Sequence, residues 1–169
     1  MVIAIGGISN AGKSRLAKQL AKHYRYQKKE SVIILCQDDY ARPTPEIPTI
    51  KGHTDWEIPA SIDYDKYYEA VAKSKKQYDV VIAEGLFVCF DPRLRNIYDK
   101  FIYITIGKET FVERKRKDLR WGKEPEWYIE HIWKSNNKYC LQMEERNKAF
   151  QLSGVLPLDM ESVVSYLES

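Results

Sequence analysis

The sequence predicts an α/β fold with five parallel strands. Three observations predict it. A strand, a helix and a second strand succeed one another within the first 36 residues, a βαβ unit that requires a parallel sheet. A glycine-rich segment lies between that first strand and helix. Three more short apolar runs, separated by helical patterns, follow downstream.

Val2-Ile3-Ala4-Ile5 is apolar, mostly β-branched and stopped by Gly6-Gly7, the pattern of a buried strand. From Lys13 the period changes. Leu16, Ala17, Leu20, Ala21 and Tyr24 recur at three and four, with Lys18, Lys22 and Arg25 on the opposite face, as in an amphipathic helix. Ser31 to Cys36 is the second strand. Arg42 to Pro59 breaks all periodicity with four prolines and Gly52, and is expected to be one long ordered loop; loops of that length in a compact domain are usually binding loops or lids. Ile62 to Lys75 is expected to be helical, Tyr78 to Gly85 a third strand and Phe101 to Ile106 a fourth. Glu109 to Arg120 is expected as a charge-dense helix and Glu126 to Phe150 as a long one, with Ile129, Ile132, Trp133, Cys140 and Met143 on its buried side. Val155-Leu156-Pro157-Leu158 suggests the last strand, and Met160 to Leu167 a closing helix.

Composition narrows the class. The 169 residues are 44% hydrophobic and 30% charged, an ordinary globular balance that excludes a disordered chain. With 27 basic and 24 acidic residues the net charge is +3, too mild for a dedicated nucleic-acid or membrane-surface binder. The apolar start, Met1 to Gly7, is too short for a secretory core, and no run approaches a membrane span. Cys36, Cys89 and Cys140 are an odd number in apolar stretches and read as reduced thiols, so a cytoplasmic protein is expected. His23, His53 and His131 are isolated, with no zinc-ligand spacing. No repeat or convincing linker divides the chain, so residues 1–169 are read as one domain.

Chemistry concentrates in a few segments. Gly7-Ile8-Ser9-Asn10-Ala11-Gly12-Lys13-Ser14 matches G-x-x-x-x-G-K-[ST]. In this pattern backbone N–H groups of Gly7, Ser9, Asn10, Ala11 and Gly12 can wrap an anion at a helix N-terminus. Lys13 can reach the β- and γ-phosphates, and the Ser14 hydroxyl can ligate Mg²⁺. Ligands of open parallel sheets bind beyond the carboxyl ends of the strands. Asp38, in Gln37-Asp38-Asp39, and Glu84 both fall there. Asp38 suits the activation of an attacking hydroxyl and Glu84 the metal. The plainer alternatives are a turn or helix cap for Asp38 and a satisfied polar strand end for Glu84. Arg114 to Lys123 carries six basic residues. Arg116 and Arg120, four apart, share a helix face and could neutralise a transferring phosphoryl group; Gly122 and Pro125 would suit a lid after them. A solvated face or a nucleic-acid stripe are the competing readings.

Taken in order, these segments resemble the P-loop nucleoside kinases, namely uridine-cytidine kinases and nicotinamide riboside kinases. The resemblance runs from Val2 to about Leu158. It rests on the phosphate loop, Gln37-Asp38-Asp39-Tyr40, Trp56-Glu57-Ile58-Pro59-Ala60-Ser61-Ile62-Asp63, Ile82-Ala83-Glu84-Gly85 and Arg116-Lys117-Asp118-Leu119-Arg120. It implies a P-loop NTPase fold, ATP and Mg²⁺ as cofactors, and a small nucleoside as partner rather than a nucleic acid or membrane. It further implies Asp38 as the base facing a ribose 5′-hydroxyl, with Tyr40 following it, and Glu57 gripping the ribose 2′- and 3′-hydroxyls with Trp56 beside it. Ser14 and Glu84 would serve the metal, Arg116 and Arg120 would lie over the phosphates of ATP, and Lys117, between them, would contact the substrate. Trp121 would stack on the base. The substrate loop then spans about 40–60 and the lid about 114–125. Glu57 is one methylene longer than the family's usual Asp, and Lys117 replaces an arginine and lacks its planar fork. Ordinary packing is the alternative for both tryptophans. Uridine-cytidine kinases carry a base-reading hairpin before the third strand, for which the interval from Lys75 to Tyr78 leaves no room; this favours nicotinamide riboside as the acceptor. A kinase for another small metabolite, and an ATP-binding regulator or nucleic-acid-associated ATPase, are the competing functions.

Overall fold

A computed structural model describes residues 1–120, 122–139 and 148–169. Strand β1 (Val2–Gly7) is buried along its whole length, as its β-branched run requires. It feeds α1 (Lys13–Lys22), whose Leu16, Ala17, Leu20 and Ala21 are buried. The chain leaves α1 through a wider helical turn, His23–Lys28, stopped by left-handed Lys29. Then come β2 (Val32–Cys36) and a tight helical turn, Gln37–Tyr40.

The segment expected to be one irregular loop contains a small hairpin. Strands β3 (Thr49–Ile50) and β4 (His53–Thr54) pair antiparallel. Lys51 and Gly52, at φ 48° and 78°, make the two left-handed steps that a tight hairpin turn needs. Strands of two residues are too short to show periodicity in a sequence. Helix α2 (Tyr64–Lys75) begins at Asp63, whose side chain accepts the Lys66 N–H at 3.2 Å. Residues 76–79 alone separate α2 from β5 (Val80–Glu84), so no hairpin precedes that strand.

The short α3 (Pro92–Arg95), β6 (Lys100–Thr105), α4 (Lys108–Lys117) and α5 (Glu126–Tyr139) follow. The end of the chain corrects two expectations. The long helix does not reach Phe150, which opens β7 (Phe150–Ser153). Val155 to Leu158 is therefore not the last strand but the turn after it, with Val155 and Leu156 exposed and Leu158 buried. Alternation in Phe-Gln-Leu-Ser is weaker than the Val-Leu-Pro-Leu run, yet it is Leu152 that the sheet buries. The expected placement of Cys140 and Met143 lies outside the described residues. The helix Met160–Glu168, capped by Asp159, agrees with expectation.

Among the described residues, β2-β5-β1-β6-β7 form one sheet, every pair parallel. Its two faces follow the strand period. Ile3, Ile5, Ile82, Ile102 and Ile104 pack against Leu16 and Leu20, Phe111, Ile132, and Val163 and Leu167. Val2, Val81, Ala83 and Leu35 face the other way, against Tyr67, Val71 and Leu94. Helices thus cover both faces and leave the carboxyl ends of the central strands free for a site. No helix among the described residues is long and apolar enough to cross a membrane.

Candidate active site

The glycine-rich segment turns back over the end of β1. Gly7 sits at φ 144°, and a Cβ there would meet the Ile104 carbonyl oxygen at 2.6 Å, so only glycine fits. Asn10 takes φ 61° and Gly12 φ 111° as the chain enters α1. Gly12 has no side chain to cap that helix, so its first N–H groups are left for an anion at the cleft that Gly12, Lys13 and Ser14 line. Lys13 Nζ donates to the Ile8 carbonyl at 3.1 Å, folded onto its own loop.

Register brings the carboxylates to the same place. Glu84 is paired with Ile5 on one side and Cys36 on the other, so the ends of β1, β2 and β5 lie level. Ser14 Oγ donates to Glu84 Oε1 at 2.7 Å. Asp38, exposed in the turn after β2, lines the same cleft. The Cys36 thiol beneath them is pushed up to about 12, first by burial and then by the charges of Glu84 and Asp38. Gln37 is fully buried, and its Oε1 accepts the Phe87 N–H at 2.8 Å, fixing the turn after β5.

The hairpin segment supplies the opposite wall. Trp56 keeps 41% of its surface exposed, and Glu57 is buried beside it. Burial pushes the Glu57 carboxyl up to about 7; Lys115 and Lys13 pull it down, while Glu124 and Asp55 push it up. Lys115, itself buried, pairs with Glu124 at 2.8 Å. The whole cleft encloses about 1000 Å³.

Helix α4 presents a different arginine from the one expected. Phe111 and Lys115 mark its inward face, and Arg114 lies beside them. Arg114 donates through Nη1 to the Asn10 carbonyl at 3.1 Å and through Nη2 to that of Gly154 at 2.9 Å. Gly154 approaches so closely that a Cβ there would lie 2.5 Å from the Ala11 carbonyl oxygen. Arg120 donates to Asn10 Oδ1 at 3.0 Å and to both oxygens of Asp118, which holds the Asp118 carboxyl well below its usual range.

Sequence comparison shows what this arrangement belongs to. The uridine kinase of Mycoplasma genitalium is 30% identical, over 73% of this chain and 69% of its own. The chain belongs to the P-loop nucleoside kinase family. Nicotinamide riboside kinase 1 of Homo sapiens is 24% identical to this kinase, over 85% of the chain and 78% of the relative. A possible uridine kinase from Bacillus stearothermophilus superposes at TM-score 0.62 and 17% identity, covering 89% and 87% of the two chains. A gluconokinase from Sinorhizobium meliloti 1021 gives 0.59 at 13%, covering 99% and 87%. These likenesses show the fold. Comparison with protein-family models finds no match. The enzyme is a phosphotransferase with an alcohol group as acceptor.

In this kinase the residues from Ser9 to Ser14, with Asp38, Trp56, Glu57, Glu84, Lys117 and Arg120, all line one cleft. Three expected site residues among those described do not: Gly7, buried at the end of β1, Arg116 and Tyr40. Arg116 points outward on α4 and pairs with Glu126, because the helix turns Phe111 and Lys115 inward and leaves position 116 on the far side. Tyr40 leaves the cleft to pack on Tyr67 at 5.0 Å. Lys117, although at the cleft edge, pairs with Glu113. Trp121 lies outside the described residues. Sequence reasoning passed over Arg114, Lys115, Glu124 and Tyr128. The signal for the first two was Phe111, because positions three and four beyond a buried aromatic share its helix face.

Proposed function

We propose that this kinase transfers the γ-phosphoryl group of ATP to the 5′-hydroxyl of a riboside, and that the riboside is nicotinamide riboside. The observation that carries the reading is the shared cleft, in which the phosphate loop, Asp38 and the Trp56–Glu57 wall face one another. We read the chain as one kinase domain, with the substrate loop at about 40–60 and the lid at about 114–125. The hydrogen-bonded oxygens of Ser14 and Glu84 are the hard donors that suit Mg²⁺, which takes few protein ligands and keeps its waters and phosphates. These two residues would hold it. When bound, Mg·ATP supplies the phosphoryl group and neutralises part of its charge.

The chain's own residues do the rest. Asp38 accepts the proton of the 5′-hydroxyl as that oxygen bonds to phosphorus and the bond to the ADP oxygen breaks. Lys13 exchanges the Ile8 carbonyl for phosphate oxygens. Arg114 and Arg120 keep the loop in shape, and Arg120 reaches over its outer edge. Glu57 accepts hydrogen bonds from the ribose hydroxyls, and Trp56 offers its face to the base. Catalysis is then positioning plus charge stabilisation. Two features support a pyridinium base. The exposed face of Trp56 lies in the cleft beside Glu57, and an aromatic face attracts a cationic ring. The four-residue step from α2 to β5, residues 76–79, carries no base-reading hairpin.

The test is ADP release from Mg·ATP with nicotinamide riboside, uridine, cytidine, adenosine, pantothenate or no acceptor. Turnover with nicotinamide riboside is expected, reduced at least about a hundredfold in Asp38→Asn. Turnover with uridine alone overturns the base. Hydrolysis independent of acceptor overturns the riboside reading in favour of an ATP-binding regulator.

A further inference from the structure

Asp55 is a buried carboxylate with no part in the chemistry described so far. One oxygen, Oδ1, accepts the backbone N–H of Glu57 at 3.1 Å and also lies 2.8 Å from Nε2 of His131 on α5. A carboxylate can only accept, so the ring nitrogen carries the proton. Both side chains are largely withdrawn from water, with 10% and 19% of their surface exposed.

The hairpin is already fastened to α5 without this pair. His53 packs edge-on to Trp127 at 5.1 Å and stacks on Tyr128 at 6.0 Å. Lys51 lies over the Trp127 ring at 5.0 Å, and the Tyr128 hydroxyl donates to the Thr54 carbonyl at 3.3 Å. Burying a carboxylate against an imidazole adds little to such an attachment, because desolvation offsets most of the attraction. What the pair adds is direction. It fixes the peptide N–H of the very residue whose side chain points into the cleft.

We propose that Asp55 and His131 are a positioning pair, acting through the Glu57 peptide to set the carboxyl that receives the acceptor. The proposal rests on the reading of Glu57 as the ribose-binding group. His131 does not line the cleft. It acts from α5, the helix that follows the lid, so the wall that binds the acceptor is braced from the lid side of the cleft.

The test compares His131→Leu, which keeps bulk and removes the donor, with His131→Gln, which restores an N–H. Amide hydrogen exchange over residues 49–58 is expected to accelerate in the leucine variant and to recover in the glutamine variant, without any acceptor present. The acceptor KM is expected to rise roughly tenfold or more in His131→Leu, as loss of a charge-assisted hydrogen bond implies, with the ATP KM unmoved. Placed in a Glu57→Gln background, the same change is expected to leave the acceptor KM where Glu57→Gln alone puts it. Unchanged exchange over 49–58 overturns the pair, as does an equal rise in both KM values. Wild-type protein inert towards every riboside overturns the proposed substrate class alone, and the exchange comparison still decides the pair.

Discussion

On the proposed reading Glu57 meets two opposed demands: it is buried in the cleft wall, and it would have to be charged to grip a diol. Burial wins part of the contest and lifts its carboxyl from 4.5 to about 7. The proton is therefore held more tightly in the folded chain than in the unfolded one between those values. The stabilisation this brings is complete below about pH 4.5 and is lost as pH rises through about 7. Glu57→Gln is expected to flatten that slope and to be more stable than wild type at about pH 8, with an upper bound of about 3 kcal/mol, and to differ little at about pH 4; thermal melts at the two pH values check it. The acceptor KM of the wild type is expected to fall as pH rises through the same range. That Lys13, Ser14 and Glu84 would meet in one cleft was legible, because a loop pattern and a strand end fix where they fall. Asp55 and His131 were not, since 76 positions separate them and only the folded hairpin brings them together.

At the level of elements, helical phase decides which cations matter. The basic run on α4 was plain in the sequence, but a run of charge does not say which way it faces. Phe111 and Lys115 fix the phase, sending Arg114 inward to two backbone carbonyls and Arg116 outward to Glu126. Arg114→Ala is expected to raise the ATP KM about tenfold by leaving both carbonyls without their donor. Arg116→Ala is expected to leave it within about twofold, because an exposed pair contributes little. Steady-state kinetics on the two variants checks the assignment. The hairpin escaped notice for a related reason. Two-residue strands leave no pattern, whereas α1, with four buried positions at helical spacing, announces itself.

For the molecule as a whole, the parallel sheet was legible because strands covered on both faces must be continuously apolar. Strand order was not, because order is set by how far each crossover carries the chain, and β7 was displaced because a stronger apolar run stood beside it. The core that results is dense at its centre. Ile82→Ala, in the middle of β5 between β2 and β1, is expected to cost about 2–5 kcal/mol, which urea unfolding reads. Gly154 closely approaches the Ala11 carbonyl, and Arg114, 104 positions from Asn10, joins the Asn10 and Gly154 carbonyls beside it; this has a wider meaning. The phosphate cradle is written in eight residues near the start of the chain, but its shape is underwritten by a turn near the far end. The mutational footprint of nucleotide binding therefore extends well beyond the motif, and a variant scan read against the motif alone would misfile damage at the β7 turn as a loss of fold.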